Sequence, residues 1–138
     1  MVRITKLTDY GMVIMAFIAK DPDKLFQAKE IAHETTITYP TVSKLLKILT
    51  KSKFLTSNRG SLGGYQLAKP PTHISVLDLV KTLEGPLAIT ECNLGHDYCH
   101  AENHCTLRTP WLHINQIITN ALKSIRLSDL INTAQWSK

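Results

Sequence analysis

No aspartate or glutamate occurs between Thr35 and Leu77, although the 138-residue chain has eleven acidic residues elsewhere. The same stretch contains six basic residues, which are Lys44, Lys47, Lys51, Lys53, Arg59 and Lys69. The rest of the chain has ten basic and eleven acidic residues, so this segment holds the entire positive excess behind the net charge of +5. A basic stretch without counter-charges is typical of proteins that bind a polyanion such as nucleic acid.

The sequence also lacks the motifs of several enzyme classes. It has no phosphate-binding Gly-Lys loop, no nucleophile elbow and no paired-carboxylate site. No apolar run approaches the roughly 18 residues that span a bilayer, and residues 1–12 lack the charged-then-apolar pattern of a secretion signal. We therefore expect a cytoplasmic protein that is not an enzyme, with no membrane partner and no small-molecule substrate.

Residues 3–20 are predicted to form an amphipathic helix. Thr8 is a favourable N-cap, and Asp9 then lies in the first turn, where the helix dipole favours a negative charge. On local grounds alone, Asp9 needs no further role. The predicted apolar face consists of Val13, Met15, Ala16 and Phe17.

Two helices are predicted over residues 27–34 and 39–52, with a short polar break between them. The second has a buried stripe of Val42, Leu45, Leu46 and Leu49. Two short helices across a tight turn, the second basic on its outer face, form a helix-turn-helix. The candidates for contacts with base edges are Tyr39, Thr41, Ser43 and Lys44, and those for phosphates are Lys47, Lys51 and Arg59.

Strand-like residues 54–56 and 65–67 enclose the glycine-rich segment 57–64, SNRGSLGG. A glycine-rich hairpin tip directly after a basic helix is typical of the wing of a winged helix-turn-helix. Arg59 and Ser61 are its candidate DNA contacts, with Arg59 entering the minor groove or binding a phosphate. The alternative is an ordinary hairpin with a solvated arginine.

The C-terminal part of the chain is predicted to be helical. Ser75 and Asp78 resemble a capping box for a helix that Gly85 and Pro86 end.

Thr109 and Pro110 open a long helix whose apolar residues repeat at steps of three and four, namely Trp111, Ile114, Ile118, Ala121 and Ile125. This seam favours pairing with a symmetry mate, while Ile117 and Leu122 widen the face toward the protein body; burial within one domain fits the same residues. A last short helix is expected from Ser128.

All three cysteines lie in one loop, spaced C-x6-C-x5-C, with histidines between them: Cys92, His96, Cys99, His100, His104 and Cys105. In a reducing compartment, clustered cysteines more often bind a metal or act in redox chemistry than form disulfides. Thiolates suit zinc, copper(I) or iron–sulfur clusters, and zinc sites usually show tighter pairs such as C-x2-C. Three ordinary loop cysteines are the remaining alternative.

Four segments, RITKLTDYG, TVSKLLKIL, RGSLGGYQLAKPP and LEGPLAITEC with the two later cysteines, resemble the IscR/NsrR family of iron–sulfur transcription regulators. The resemblance runs from Val2 to about Asn132, and KLTDYG, PTVSKLLK and EGPLAITEC look most like the branch that regulates the SUF assembly operon. It implies that Cys92, Cys99 and Cys105 ligate a 2Fe–2S or 4Fe–4S cluster. It also implies that the helix from about Thr38 enters the major groove and that residues 59–65 form the wing.

The resemblance also bears on the fourth ligand. Arg108 stands where the housekeeping assembly regulator has a ligating histidine, and an arginine cannot ligate iron. In the nitric-oxide-sensing branch, an aspartate early in the first helix of the partner subunit completes the cluster, and Asp9 matches that position. His96, His100 and His104 compete for the role because they lie in the loop itself.

These observations predict a mainly α fold with a small β-hairpin wing: a winged helix-turn-helix plus a long dimerisation helix. We expect a DNA-binding region over residues 1–85, a cluster-binding loop over 86–106, and a dimerisation helix and tail over 107–138. The expected function is a homodimeric repressor that binds an operator in double-stranded DNA, senses an iron–sulfur cluster and controls cluster assembly genes. The alternatives are a nitric oxide or redox sensor on the same scaffold, or a zinc-stabilised structural protein.

Overall fold

The computed structural model describes residues 2–132 and Trp136. Its α-helices are α1 (Lys6–Ala19), α2 (Ala28–Thr35), α3 (Tyr39–Lys51), α4 (Val76–Glu84), α5 (Arg108–Ser124) and α6 (Leu127–Ile131). The strands β1 (Leu55–Asn58) and β2 (Gly64–Leu67) form an antiparallel hairpin between α3 and α4. The predicted class, mainly helical with one small hairpin, is confirmed.

The helix α3 forms the centre of the core. Its predicted stripe of Val42, Leu45, Leu46 and Leu49 is fully buried, as the sequence predicted. It packs against α1, α2 and β1. Burying a leucine or valine side chain contributes about 1.5–3 kcal/mol, so this stripe anchors α3 while its opposite face stays in solvent.

The start of α1 differs from the prediction. The N-cap is Thr5, whose hydroxyl accepts a hydrogen bond from the Thr8 amide at 3.3 Å, and Thr8 is buried inside the first turn. The amide of Thr5 donates to a Glu84 carboxylate oxygen at 2.6 Å, and hydrogen bonds from Thr5 hold the pKa of Glu84 below its usual value. This contact with the end of α4 helps to place the N-cap at Thr5, three residues before the predicted cap Thr8.

The buried face of α1 was also predicted only in part. Met15 is buried as expected, but Val13 is exposed and Ile14 and Ile18 take the interior positions. Residues 12–19 are apolar throughout, so several helix faces satisfy the pattern equally well. The contacts of α1 with α2, α3, α4 and α6 select the face that is buried.

The hairpin was predicted in the right place and is longer than expected. Leu55 pairs with Leu67, and Asn58 pairs with Gly64. Phe26, before α2, exchanges two backbone hydrogen bonds of 2.8 Å with Tyr65. The wing is therefore attached along one edge to the segment that leads into α2.

The two C-terminal helices differ in how deeply they are buried. Helix α6 begins at Leu127 rather than Ser128; Leu127 is fully buried, and its amide donates to the Ile74 carbonyl at 2.8 Å. Helix α5 has no fully buried residue. Apart from Trp136, the predicted tail beyond Asn132 falls outside the described residues. No helix in the described part of the chain is long and apolar enough to cross a membrane.

Candidate nucleic-acid interface and cysteine loop

The helix-turn-helix presents α3 outward from the core. Helix α2 ends at Thr35, and its C-cap residue, Thr36, adopts the left-handed conformation with φ 59°. Helix α3 begins only three residues after Thr36. Of the predicted contact residues on α3, Tyr39, Lys44, Lys47 and Lys51 are exposed, whereas Thr41 and Ser43 are half-buried. The Thr38 and Thr41 hydroxyls share a 3.0 Å hydrogen bond, so Thr41 also stabilises the first turn of the helix.

In the described part of the chain, the cations of this surface have no acidic partner. None of Lys44, Lys47, Lys51 and Arg59 forms an ion pair within residues 2–132 and 136; the described ion pairs involve other residues. Lys69 lies over the Phe54 ring, with its amino group 5.4 Å from the ring centre. Unpaired surface cations on one helix and an adjacent hairpin provide a positive face that suits a chain of phosphates.

The tip of the wing is held in a defined shape. The amide of Gly63 donates to the Gly60 carbonyl at 3.0 Å, and Gly60 has a φ of 103°, which favours glycine. The side-chain amide of Gln27 donates to the Ser61 carbonyl at 3.2 Å. Both Arg59 and Ser61, the predicted wing contacts, are exposed. The hairpin and α3 therefore present their candidate residues from one connected unit.

The three cysteines lie on the loop between α4 and α5. Cys92 is in a 3₁₀ turn, Glu91–Asn93, where its Sγ lies 3.0 Å from the Thr90 hydroxyl. Cys92 and Cys99 are half-buried, Cys105 is exposed, and all three are free thiols.

Glu102 organises the middle of this loop. Its carboxylate accepts a hydrogen bond from the Asp97 amide at 2.9 Å, lies 2.7 Å from Nδ1 of His96 and 3.2 Å from Nη2 of Arg108. The Asp97 amide, followed by His96 and Arg108, holds the pKa of the Glu102 carboxyl below its usual value. Arg108 stands where the resembled assembly regulator has a ligating histidine. In this structure Arg108 instead connects the cysteine loop to the first turn of α5.

The predicted metal ligands do not converge within this single chain. Among residues 2–132 and 136, no three histidine, cysteine, aspartate or glutamate side chains are placed to hold a metal ion together. Asp9 is exposed in the first turn of α1. It faces an open cavity of about 720 Å³ that is lined by Arg3, Ile4, Thr5, Lys6, Asp9 and Met12. Its carboxylate is therefore accessible from outside the subunit.

The donor types still fit an iron–sulfur cluster. Cysteine thiolates are the usual ligands of such clusters, and the three free thiols lie on one surface loop. To hold a cluster, the loop has to bring its three thiols together. Such a rearrangement of the loop changes the hydrogen bonds around Glu102.

The predicted seam of α5 forms an exposed apolar strip. Trp111 is 37% exposed and Ile114 40% exposed, Ala121 is exposed, and Ile118 is partly covered. The expectation that Ile117 faces the protein body is wrong, because it is 56% exposed. Asn115 takes the inward position instead: its side chain accepts from the Ile89 amide and donates to the Leu87 carbonyl, both at 3.0 Å. The apolar strip is consequently wider than the sequence indicated.

Three residues of these sites were not identified from the sequence: Gln27, which holds the wing tip, Leu62, which lies on it, and Glu102. Gln27 and Glu102 act through contacts across loops, which no local pattern encodes. Leu62 had a signal, since a leucine among glycines and polar residues has no place in a core.

The whole chain is similar to known regulators of transcription. The sequence model of the Rrf2 family, whose description is iron-dependent transcriptional regulator, matches residues 4–133. A protein of Aquifex aeolicus named as an HTH-type transcriptional regulator is 29% identical over 125 residues, which cover 89% of this chain and 87% of the relative.

Solved structures agree with this relationship. CymR, the global cysteine regulator of B. subtilis, is 28% identical with a TM-score of 0.78, and the match covers 96% of this chain and 98% of CymR. IscR of T. potens is 26% identical with a TM-score of 0.76, over 96% of this chain and 88% of IscR. The family and these relatives are regulators rather than enzymes, as predicted, and the resemblance to the IscR group is confirmed at the level of the family. The chain belongs to the Rrf2 family of transcriptional regulators.

Proposed function

We propose that this protein is a homodimeric repressor that binds an operator in double-stranded DNA and responds to an iron–sulfur cluster in its cysteine loop. The observation that carries the DNA-binding part is the acid-free surface of α3 and the wing. Lys44, Lys47, Lys51 and Arg59 are exposed there without acidic partners in the described structure. Phosphate contacts from Lys47, Lys51 and Arg59 supply most of the affinity, while Tyr39, Thr41, Ser43 and Lys44 read base edges.

The surface of α5 supports the proposed homodimer. A helix of 17 residues with no fully buried residue and an apolar strip on one side is not stabilised by packing within its own subunit alone. A second copy of the same helix covers the strip by two-fold symmetry. The pair then presents two α3 helices to successive major grooves of one duplex.

The cluster proposal assigns Cys92, Cys99 and Cys105 as ligands and Asp9 of the partner subunit as the fourth. Support comes from the donor types, from the exposed position of Asp9 and from the iron-dependent description of the family. When bound, the cluster supplies a redox-sensitive and oxygen-sensitive group. The regulated genes proposed are those of iron–sulfur cluster assembly, by resemblance to the SUF branch.

The coupling between loop and DNA runs through α5. Residues 86–106 form the sensor segment between the DNA-binding region, residues 1–85, and the dimerisation segment, which starts at residue 107. Glu102 in the loop is hydrogen-bonded to Arg108, the first residue of α5. Rearranging the loop therefore changes the position of α5 and, through the dimer, the spacing of the two α3 helices.

A second candidate is a thiol-based redox or nitric oxide sensor without a permanent cluster. The free, exposed thiol of Cys105 and the absence of a converged ligand set in the described chain favour it. The visible absorbance of anaerobically purified protein separates the two candidates. A brown protein containing iron and sulfide supports the cluster, and a colourless one whose DNA binding follows oxidation of its thiols supports the second candidate.

The test of DNA binding uses Lys44→Ala and Arg59→Ala. Each change removes one exposed cation, so we expect affinity for the operator to fall about tenfold. The dependence of log affinity on log salt concentration is expected to become shallower by roughly one unit for each lost phosphate contact. Fluorescence anisotropy over a salt series measures both quantities.

Lys123→Ala is the matched control, because Lys123 is an exposed lysine on α5, outside residues 35–77, the segment that lacks acidic residues. It removes the same charge and is expected to leave the salt dependence unchanged. An equal effect from all three variants assigns the loss to net charge alone, and wild-type binding by both test variants contradicts the proposed interface.

A further inference from the structure

We propose that Leu62 at the tip of the wing is an apolar minor-groove contact, which packs between the sugar walls of the operator duplex and discriminates base pairs there. The inference rests on the proposed DNA-binding function and adds a residue and a recognition mode to it. No charged or hydrogen-bonding group is involved in this contact.

The first observation is the exposure of Leu62. Its side chain is 91% exposed, more than any other large hydrophobic residue in the described structure. It therefore stabilises no part of the folded subunit. Single exposed leucines are common on protein surfaces, so the exposure gains meaning only from where the residue lies.

The second observation is that hydrogen bonds hold the backbone on both sides of Leu62. Gln27 holds the carbonyl of the preceding residue, Ser61, at 3.2 Å, and the amide of the following residue, Gly63, is bonded to the Gly60 carbonyl. A Cβ at position 63 would collide with the Asn58 carbonyl oxygen, so the turn is as tight as a glycine allows. Leu62 is consequently presented outward by a preformed loop, which lowers the entropic cost of placing it in a groove.

The third observation is the charge around it. Arg59 is exposed at the same tip, and the chain has no acidic residue from position 35 to 77. A polyanion is therefore the partner that this hairpin attracts, rather than an apolar protein surface. Proteins that bind the minor groove combine basic side chains with apolar ones such as leucine, which pack against or between base steps. Leu62 beside Arg59 has this combination.

The first experiment compares Leu62→Ala with Leu62→Met on one probe, the duplex that the wild-type protein selects most tightly from a randomised duplex library. Leu62→Ala is expected to lower affinity about tenfold, because it withdraws most of the apolar contact. The salt dependence stays at the wild-type value, since no charge is removed. Leu62→Met keeps an apolar side chain of similar size and retains most of the affinity. Thermal midpoints remain unchanged, because the side chain is outside the core.

The second experiment replaces G·C pairs beneath the wing with inosine·cytosine, which removes the amino group that guanine places in the minor groove. Wild-type protein is expected to bind the substituted duplex more tightly, while Leu62→Ala binds both duplexes equally. Footprinting of the wild-type complex locates the pairs to replace.

The outcomes separate the inference from the function on which it rests. If wild-type protein selects no duplex, the proposed function fails. If it selects one and Leu62→Ala binds it with wild-type affinity, only the role of Leu62 is wrong. A shallower salt dependence for Leu62→Ala also overturns the inference, because it means that the wing and Arg59 have moved.

Discussion

Ile114→Lys is expected to convert the protein to a monomer that has lost at least about a hundredfold of its operator affinity. Ile114 is 40% exposed and lies in the apolar strip of α5 with Trp111 and Ala121. In a two-fold interface the substitution occurs twice, so two charges are desolvated against apolar surfaces without partners. Because Ile114 is 40% exposed in its own subunit, a lysine there can extend into solvent in the monomer, and the fold of the monomer is retained.

The loss of operator binding follows from the loss of the dimer. Two linked readers bind two half-sites with a high effective concentration, and a single reader has only the affinity of one half-site. Sedimentation equilibrium measures the mass, and a gel-shift assay measures binding. Ile114 is more exposed in the subunit than Ile118, so its substitution disturbs the packing of the subunit less.

Gln116→Lys is the control for Ile114→Lys. Gln116 is exposed on the same helix, where its side chain donates to Asn120 at 2.8 Å, and it lies away from the apolar strip. It introduces the same lysine and is expected to remain dimeric. A dimeric mass for Ile114→Lys at micromolar concentrations removes α5 from the proposed interface.

The second large effect concerns the cluster. Changing any one of Cys92, Cys99 and Cys105 to serine is expected to abolish the visible absorbance of anaerobically purified protein, because a hydroxyl is a poor replacement for a thiolate on iron. Asp9→Ala is expected to leave a folded dimer with an altered or short-lived cluster. A carboxylate is a harder ligand than a thiolate, so it is the weakest bond of the proposed site.

Asp9→Ala has only a small expected effect on folding. Asp9 is exposed in the first turn of α1, where its interaction with the helix dipole contributes about 0.3–1 kcal/mol. Circular dichroism checks the fold, and absorbance over time under air measures the lifetime of the cluster. Asp23→Ala, which removes an exposed carboxylate between α1 and α2, is the matched control.

Variants of the loop histidines test whether the fourth ligand lies in the loop instead of being Asp9. If Asp9→Ala has the spectrum and lifetime of wild type while His100→Ala or His104→Ala does not, the fourth ligand lies in the loop. The proposed link between the cluster and the partner subunit then has no basis. His96 is already paired with Glu102 at 2.7 Å in the described loop, so His100 and His104 are the variants to compare first.

The parts of this protein that depend on local pattern were predictable from the sequence. The four apolar residues of α3 fit only one helix face, and that face is buried. Gly85 ends α4 with a φ of 97°, and Ser75 caps its start, as their residue types indicate. The lack of acidic residues from position 35 to 77 and the spacing of the cysteines are properties of the sequence itself. The candidate DNA interface and the cysteine loop could therefore be located from the sequence alone.

Contacts between distant segments could be decided only by the tertiary structure. The apolar run of α1 fits more than one face, and packing against four other helices selects Ile14 and Ile18 over Val13. Gln27 reaches the carbonyl of Ser61, 34 residues away, and Asn115 reaches Leu87, 28 residues away. Side-chain periodicity specifies which faces are apolar, but the partner of each face is determined by how the chain closes on itself. Ile117 is an example: the sequence shows that it is apolar, but only the structure shows that it is exposed rather than packed against the protein body.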